Sequence, residues 1–226
     1  DALPIDRTLT AAVFETPEGR PLGSIVNCAV HPTLLMNPFN RISSEFVGLA
    51  MNRWEQAAGE PFVSLFIQGF SGDVGPFGHY RTETGDTYPL VERLGRQLYD
   101  EIAALSACAE PLQALPLRSL ERRIALPARP GYFKPQLTVT LHGIRIGGML
   151  LLSSSCETFN GYAALIRPRF PAFGHMMFSG VANGYTGYLP TADAFADGLG
   201  GYEMNTTPYA EQACGIFERS ALQLIG

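Results

Sequence analysis

QLTVTLHGIRIGGMLLLSSS, residues 136–155, changes its rhythm halfway. From Gln136 to Ile146 apolar and other side chains alternate, the two-residue period of a strand with one face in a core. Gly147-Gly148 reads as a turn. Met149 to Leu152 is then apolar without a break, which is typical of a strand covered on both faces. A hairpin with such a second strand belongs in a layered fold, and the flanking sequence supplies the layers.

Upstream, TLTAAVFET and GSIVNCAVH read as two strands joined at Pro17-Glu18-Gly19. ISSEFVGLAMNRWEQAAGE reads as a helix with Ser43 or Ser44 as N-cap, Phe46, Val47, Ala50, Met51 and Trp54 at helical spacing, and Gly59 as its stop. PFVSLFIQ is a strand. TYPLVERLGRQLYDEIAALSACAE is a helix with Val91, Leu94, Leu98, Ile102 and Leu105 on one face and Pro89 near its first turn. A polar, Pro-rich β segment follows. Downstream come a short helix closed by Pro168, a buried strand in HMMFSGVAN, and a terminal helix capped by Thr206 or Thr207. Strands and helices alternate, so the expected fold is α/β: a mixed β-sheet covered by helices, with residues 1–226 as a single domain and no repeat or linker.

Composition narrows the function classes. The 226 residues are 46% hydrophobic, enough to bury a sizeable core. The net charge is −5, and the richest basic cluster is Arg118–Arg123, read as the solvated side of a strand, so no nucleic-acid partner is expected. No apolar run approaches the ~20 residues of a membrane span. Cys28, Cys108, Cys156 and Cys214 show no C-x-x-C spacing and read as buried free thiols. The first residues have neither a charged n-region nor an apolar h-region and enter a strand almost at once, so the chain is expected to have been cut or processed.

Residues 66–80, FIQGFSGDVGPFGHY, place Gly69, Gly72, Gly75 and Gly78 at every third position after a strand. Such a cluster serves a tight turn or makes room for a close approach to the backbone. It is not a nucleophile elbow, because Asp73 stands where G-x-S-x-G needs its second Gly after Ser71. It lacks the Lys of a phosphate loop and the dinucleotide G-x-G-x-x-G.

Other polar groups stand past strand ends, the edge where open α/β sheets bind ligands: His31, Glu157, and Asn183 to Tyr188 (NGYTGY). Each has an ordinary explanation on its own. A His before Pro is a common structural hydrogen-bonder, a Glu favours a helix N-terminus, and Tyr185 and Tyr188 suit an interface. Together an imidazole, a carboxylate and an oxygen donor suit Zn²⁺.

The order of NCAVHP, QGFSGDVGP, SSCETF and GVANGYTGYLPT followed by GGYE resembles the catalytic domain of the neutral/alkaline (non-lysosomal) ceramidases and their bacterial relatives, from about residue 8 onward. The resemblance implies zinc-dependent hydrolysis of an amide in an N-acylated amine, a small molecule or lipid. It matches His31, Glu157 and Tyr188 to metal ligands and Tyr202 to a tyrosine near the reaction centre. In the glycine loop Gly72, Asp73 and Gly75 fall at the catalytic motif, with backbone N–H groups offered to a developing oxyanion. Phe77 and Tyr185 are assigned to the substrate.

The departures are specific. The family's first metal-binding His lies in a T-H-x-H-like segment upstream of these residues, so an upstream segment or separate chain is expected to complete the metal site. Gly75 stands where the family has a Ser, Phe77 where it has an Asn, and Cys156 where a Gly precedes the Glu. A serine esterase using Ser71 and a non-catalytic binding protein on the same fold are the alternatives. Only family analogy points to secretion or the periplasm.

Overall fold

In a computed structural model the protein is described over residues 5–35, 42–76, 87–112, 117–198 and 200–226. Phe77, assigned above to the substrate, lies outside the described residues. The chain forms two compact units: Asp1–Thr8, Gln68–Val74 and Leu112–Gly226 make one, and Leu9–Ile67 with Gly75–Pro111 make the other.

The larger unit is built on the stretch that opens this section. Strands β4 (Leu117–Pro127), β5 (Gln136–Ile146), β6 (Met149–Ser154) and β8 (His175–Ser179) form one sheet in the order β4-β5-β6-β8. β4, β5 and β6 pair antiparallel and β6 pairs parallel with β8, so the sheet is mixed. The change of period has a direct cause. β5 buries one face, turning Val139, Leu141 and Gly143 inward, whereas β6 is covered on both faces and buries every residue but the half-buried Leu151. The parallel return from β6 to β8 runs through the short strand β7 (Glu157–Thr158), helix α3 (Gly161–Ile166) and a 3₁₀ turn at Arg167–Arg169, where the sequence reading placed a helix ending at Pro168.

After β8 come β9 (Tyr188–Leu189), α4 (Ala192–Asp197), α5 (Tyr202–Thr206) and α6 (Gln212–Ile225). α6 buries Ala213, Phe217, Ala221 and Leu224 at helical spacing in the same core as Leu126, Leu141 and Leu152 of the sheet. Its expected cap at Thr206 or Thr207 is not used: the helix begins at Gln212. Thr207 is committed elsewhere, its hydroxyl donating to Tyr188 O at 2.8 Å and accepting from Tyr209 N at 3.2 Å. Tyr209 then bridges to Ala128, so this segment runs extended before a helix can start. Asp6 is tied to α3 and the turn after it: its N–H donates to Asn160 Oδ1, and Arg167 Nη2 holds its carboxylate at 2.7 Å.

The smaller unit has strands β1 (Thr10–Glu15), β2 (Pro21–Cys28) and β3 (Val63–Gln68) in the order β1-β2-β3, with helices α1 (Glu45–Ala58) and α2 (Tyr88–Ala107). The β1–β2 hairpin turns where the sequence reading placed it. Val26, Ala50, Met51, Trp54, Phe62 and Ile102 form its core, with the Trp54 and Phe62 rings 5.4 Å apart. Gly59 ends α1, as the sequence reading expects of it, and does so at positive φ. Leu105 and Cys108, at the end of α2, are exposed rather than buried as expected. Cys156 and Cys214 are buried, and burial pushes the Cys28 thiol up to about 12 and Cys156 up to about 11. Among the described residues no helix is long and apolar enough to cross a membrane.

Phe217 is fully buried, with its ring 4.8 Å from Tyr162 and 6.5 Å from Phe70. Phe217→Ala is expected to cost ~3–5 kcal/mol in chemical denaturation. Arg96→Ala, which removes an exposed 3.9 Å contact with Glu92 on α2, should stay within ~0.5 kcal/mol.

Candidate functional site

In the larger unit the parallel pair β7–β9 places Glu157 directly opposite Tyr188. Glu157 N–H donates to Gly187 O at 3.0 Å and Phe159 N–H to Leu189 O at 3.1 Å, so the two short strands are fixed to each other on both sides of the pair. Tyr185 reaches in from the preceding turn, its hydroxyl donating to Glu157 Oε1 at 2.8 Å. The Tyr202 ring meets that of Tyr188 edge-on, centroids 6.0 Å apart and planes at 82°. The carboxylate thus has Tyr185 bonded to it and Tyr188 across the strand pair, with Tyr202 packed behind Tyr188, on a surface where Tyr185 and Tyr202 are largely exposed.

The electrostatics follow from this packing. Partial burial first, and then the Glu157 carboxylate that accepts its hydrogen bond, push the Tyr185 phenol up to about 12. Burial and the same carboxylate raise Tyr188 further. Both phenols stay protonated at neutral pH and act as hydrogen-bond donors.

The glycine loop meets this pair from behind. Gly72 N–H donates to Thr158 O at 2.9 Å, and a Cβ on Gly72 would stand 2.5 Å from Glu157 O. Only glycine permits that approach. The same bond corrects an expectation: the Gly72 N–H is occupied by Thr158, so Gly72 positions Glu157 and does not offer its N–H to an oxyanion. Asp73 has a related role. Its Oδ1 accepts the Asn160 N–H at 2.6 Å, and Asn160 Nδ2 donates to Phe70 O at 3.0 Å, which pins the loop to the start of α3. Gly75 is exposed and, with His31, belongs to the smaller unit. Ser71 is 2% exposed and its hydroxyl accepts from Gln68 Nε2 at 2.9 Å, which fits a loop anchor better than an esterase nucleophile.

His31 sits in the loop after β2. The sequence reading missed what shapes that loop. Glu45, buried at the start of α1 and at φ 52°, uses both carboxylate oxygens to accept the Leu34 and Leu35 N–H groups at 2.8 Å each. Nothing in a one-dimensional pattern distinguishes this Glu from an ordinary first-turn acid. Asn160 and His142 were also missed, and Asn183, noted only as the start of NGYTGY past a strand end, was given no role of its own, because their partners lie far away in sequence.

The donor chemistry of Glu157 and Tyr188, a carboxylate beside a phenol, suits part of a zinc sphere. Among the described residues no group of three His, Cys, Asp or Glu side chains could hold an ion. Glu157 and Tyr188 are thus two oxygen-bearing side chains on paired strands.

Gly72→Ala is expected to destabilise by ~1–3 kcal/mol, because the added methyl must displace the backbone under Glu157, and to disturb the Tyr185 hydrogen bond. Gly148→Ala, where a Cβ meets nothing within 4 Å, should change stability by less than ~0.5 kcal/mol in the same denaturation assay. Glu157→Gln in metal-stripped protein should lower the Tyr185 pKa from about 12 toward its ordinary value of ~10, since the accepting negative charge is gone. Ultraviolet titration of the phenols, referenced to Tyr185→Phe, reads this out.

No family model and no curated protein matches the chain. Solved structures do. A ceramidase complexed with C2 superposes with a TM-score of 0.81 at 17% identity over 97% of this chain and 47% of that one. The neutral ceramidase of Pseudomonas aeruginosa superposes with a TM-score of 0.80 at 19% identity over 97% of this chain and 46% of that one. The present chain thus spans about half the length of the structures it matches, and it has the fold of the corresponding half of a neutral ceramidase.

Proposed function

We propose that this chain forms part of a hydrolase that cleaves the amide bond of an N-acylated amine, with zinc as its cofactor. The convergence of Glu157, Tyr185, Tyr188 and Tyr202 in front of the glycine loop carries this reading, and the ceramidase-like fold supports it. Glu157 and Tyr188 would hold the ion together with donors beyond this pair; His31 enters that set from the sequence resemblance alone. When bound, zinc supplies Lewis acidity and lowers the pKa of a water to ~7.

The chain's own groups have definable tasks. The reaction adds water across the C–N bond, giving a carboxylic acid and an amine, and negative charge grows on the carbonyl oxygen on the way. Tyr202, exposed at the rim and packed against Tyr188, is suited to donate its phenolic proton in a hydrogen bond to that oxygen. Tyr185 keeps Glu157 oriented and its charge partly balanced. In the family pattern the positions of Gly75 and Phe77 carry polar side chains that serve the amide, and their loss in this sequence favours a compact N-acyl amine over long-chain ceramide. An unpaired polar group on the larger substrate costs ~1–3 kcal/mol, or about one to two decades in kcat/KM.

The test uses the full-length protein and a panel running from short N-acyl amines to ceramide. Hydrolysis should be lost to a strong chelator and restored by Zn²⁺. Glu157→Ala should lower metal content measured by atomic emission as well as rate, and Ser71→Ala should keep most of the activity. Chelator-resistant hydrolysis abolished by Ser71→Ala would replace this reading with a serine esterase. Zinc-free protein that binds but never cleaves the panel would replace it with a binding protein.

A further inference from the structure

The turn that carries Tyr185 is tied at both ends. Val181 N–H donates to Cys156 O at 2.9 Å, Ala182 N–H to Ser154 O at 2.8 Å and Thr186 N–H to Ser155 O at 2.9 Å. Between these anchors the backbone is strained, with Val181 at φ 54° and Asn183 at φ 58°, a region that side chains beyond glycine enter at a cost. Asn enters this region more readily than the β-branched Val, and the Asn183 side chain adds a tether. Its side-chain Nδ2 lies 3.2 Å from Nδ1 of His142 on β5, and Nε2 of the same ring lies 3.0 Å from Glu121 Oε2 on β4.

One protonation state satisfies both contacts. The amide nitrogen of Asn183 can only donate, so Nδ1 must be the bare, accepting nitrogen; the carboxylate can only accept, so Nε2 must carry the proton. A second proton on the ring would set donor against donor at Asn183. The groups facing the ring are few: β4 brings Glu121, whose other oxygen accepts from Arg123 Nε at 3.0 Å, β6 places Ser153 opposite His142, and the turn brings Asn183. His142, followed by Arg123, holds the Glu121 carboxyl below its usual range, as expected for a carboxylate engaged by both.

We propose that His142 is a positioning residue for the hydrolytic site: backed by Glu121, its neutral Nε2–H form fixes Asn183 and thereby the turn that aims Tyr185 at Glu157. Protonation of His142 releases that turn, so the rate of the reaction proposed above carries an acidic limb that belongs to a residue outside the reacting cluster. The inference rests on that reading for its kinetic readout and on the ring's tautomer for an independent one.

The experiment follows kcat and KM against pH for full-length wild type and three variants acting on a short N-acyl amine, with ¹⁵N-histidine NMR of the same proteins. The expected spectrum assigns His142 as neutral with the proton on Nε2 at pH 8. His142→Ala should lower kcat about tenfold with KM changed less than about twofold, the loss of one orienting hydrogen bond. His142→Gln, whose amide can donate to Glu121 and accept from Asn183, should recover most of kcat and lose the His142 limb. Asn183→Asp, whose carboxylate accepts from the protonated ring and stabilises it, should move the His142 titration seen by NMR to higher pH and remove the acidic limb from kcat. A proton on Nδ1 in the neutral ring, the same acidic limb in wild type and His142→Gln, or a Gln variant no better than the Ala variant would each overturn the proposal. If wild type hydrolyses nothing, the function proposed above fails, and the tautomer with the pH at which the Asn183 side-chain amide signal shifts still decides the positioning role.

Discussion

The larger unit depends on a backbone approach that no side chain would allow. Gly72 donates to Thr158 O and lies so close to Glu157 O that a Cβ there would stand at 2.5 Å. Asp73 and Asn160 lock the same contact from the next residues along. Because Glu157 is held on one side by the loop and on the other by β9, its carboxylate points at a fixed place, and the surrounding phenols are arranged about that place. The rigidity is made of backbone and amide hydrogen bonds in a largely buried layer, where each unpaired group would be costly. It does not come from the exposed tyrosines themselves.

The same economy recurs in the smaller unit with a different device. There a buried carboxylate, Glu45, takes two backbone donors from the loop that follows His31 and accepts a strained φ to do so. In both units a polar side chain satisfies backbone groups of a segment that has no strand or helix to satisfy them. Loops that carry candidate chemistry are therefore shaped by neighbours whose own chemistry is spent on holding them.

Legibility in the sequence divides along that line. The sheet of the larger unit could be read because β5 alternates and β6 does not, and because burial on one face or two leaves that mark in composition. The β1–β2 turn and the end of α1 could be read from their punctuating residues. Strands of two residues, β7 and β9, have no period to detect, although they set the geometry of Glu157 and Tyr188. Thr207 looked like a helix cap because hydroxyls favour caps; it serves Tyr188 O and Tyr209 N instead, a choice made by tertiary partners. The resemblance to ceramidases reached Glu157, Tyr188 and Tyr202 without geometry, while Asn160 and His142 became visible only through partners on other elements.

The order in which the chain is made bears on the segment that passes between the units. By residue 111 nearly everything the smaller unit needs has been synthesised, since it is drawn from Leu9–Ile67 and Gly75–Pro111. The glycine loop inside that span belongs elsewhere: Asp73 waits for the amide of Asn160, 87 positions further on, and Asp6 waits for Arg167 across 161. A nascent chain therefore carries Gly69 to Val74 as an unfilled loop until β7 and α3 have emerged. Contacts of such separation form late and slowly, because the closure entropy falls due before any contact repays it. The segment that later fixes Glu157 thus stays without its partners while the smaller unit can already close around its own.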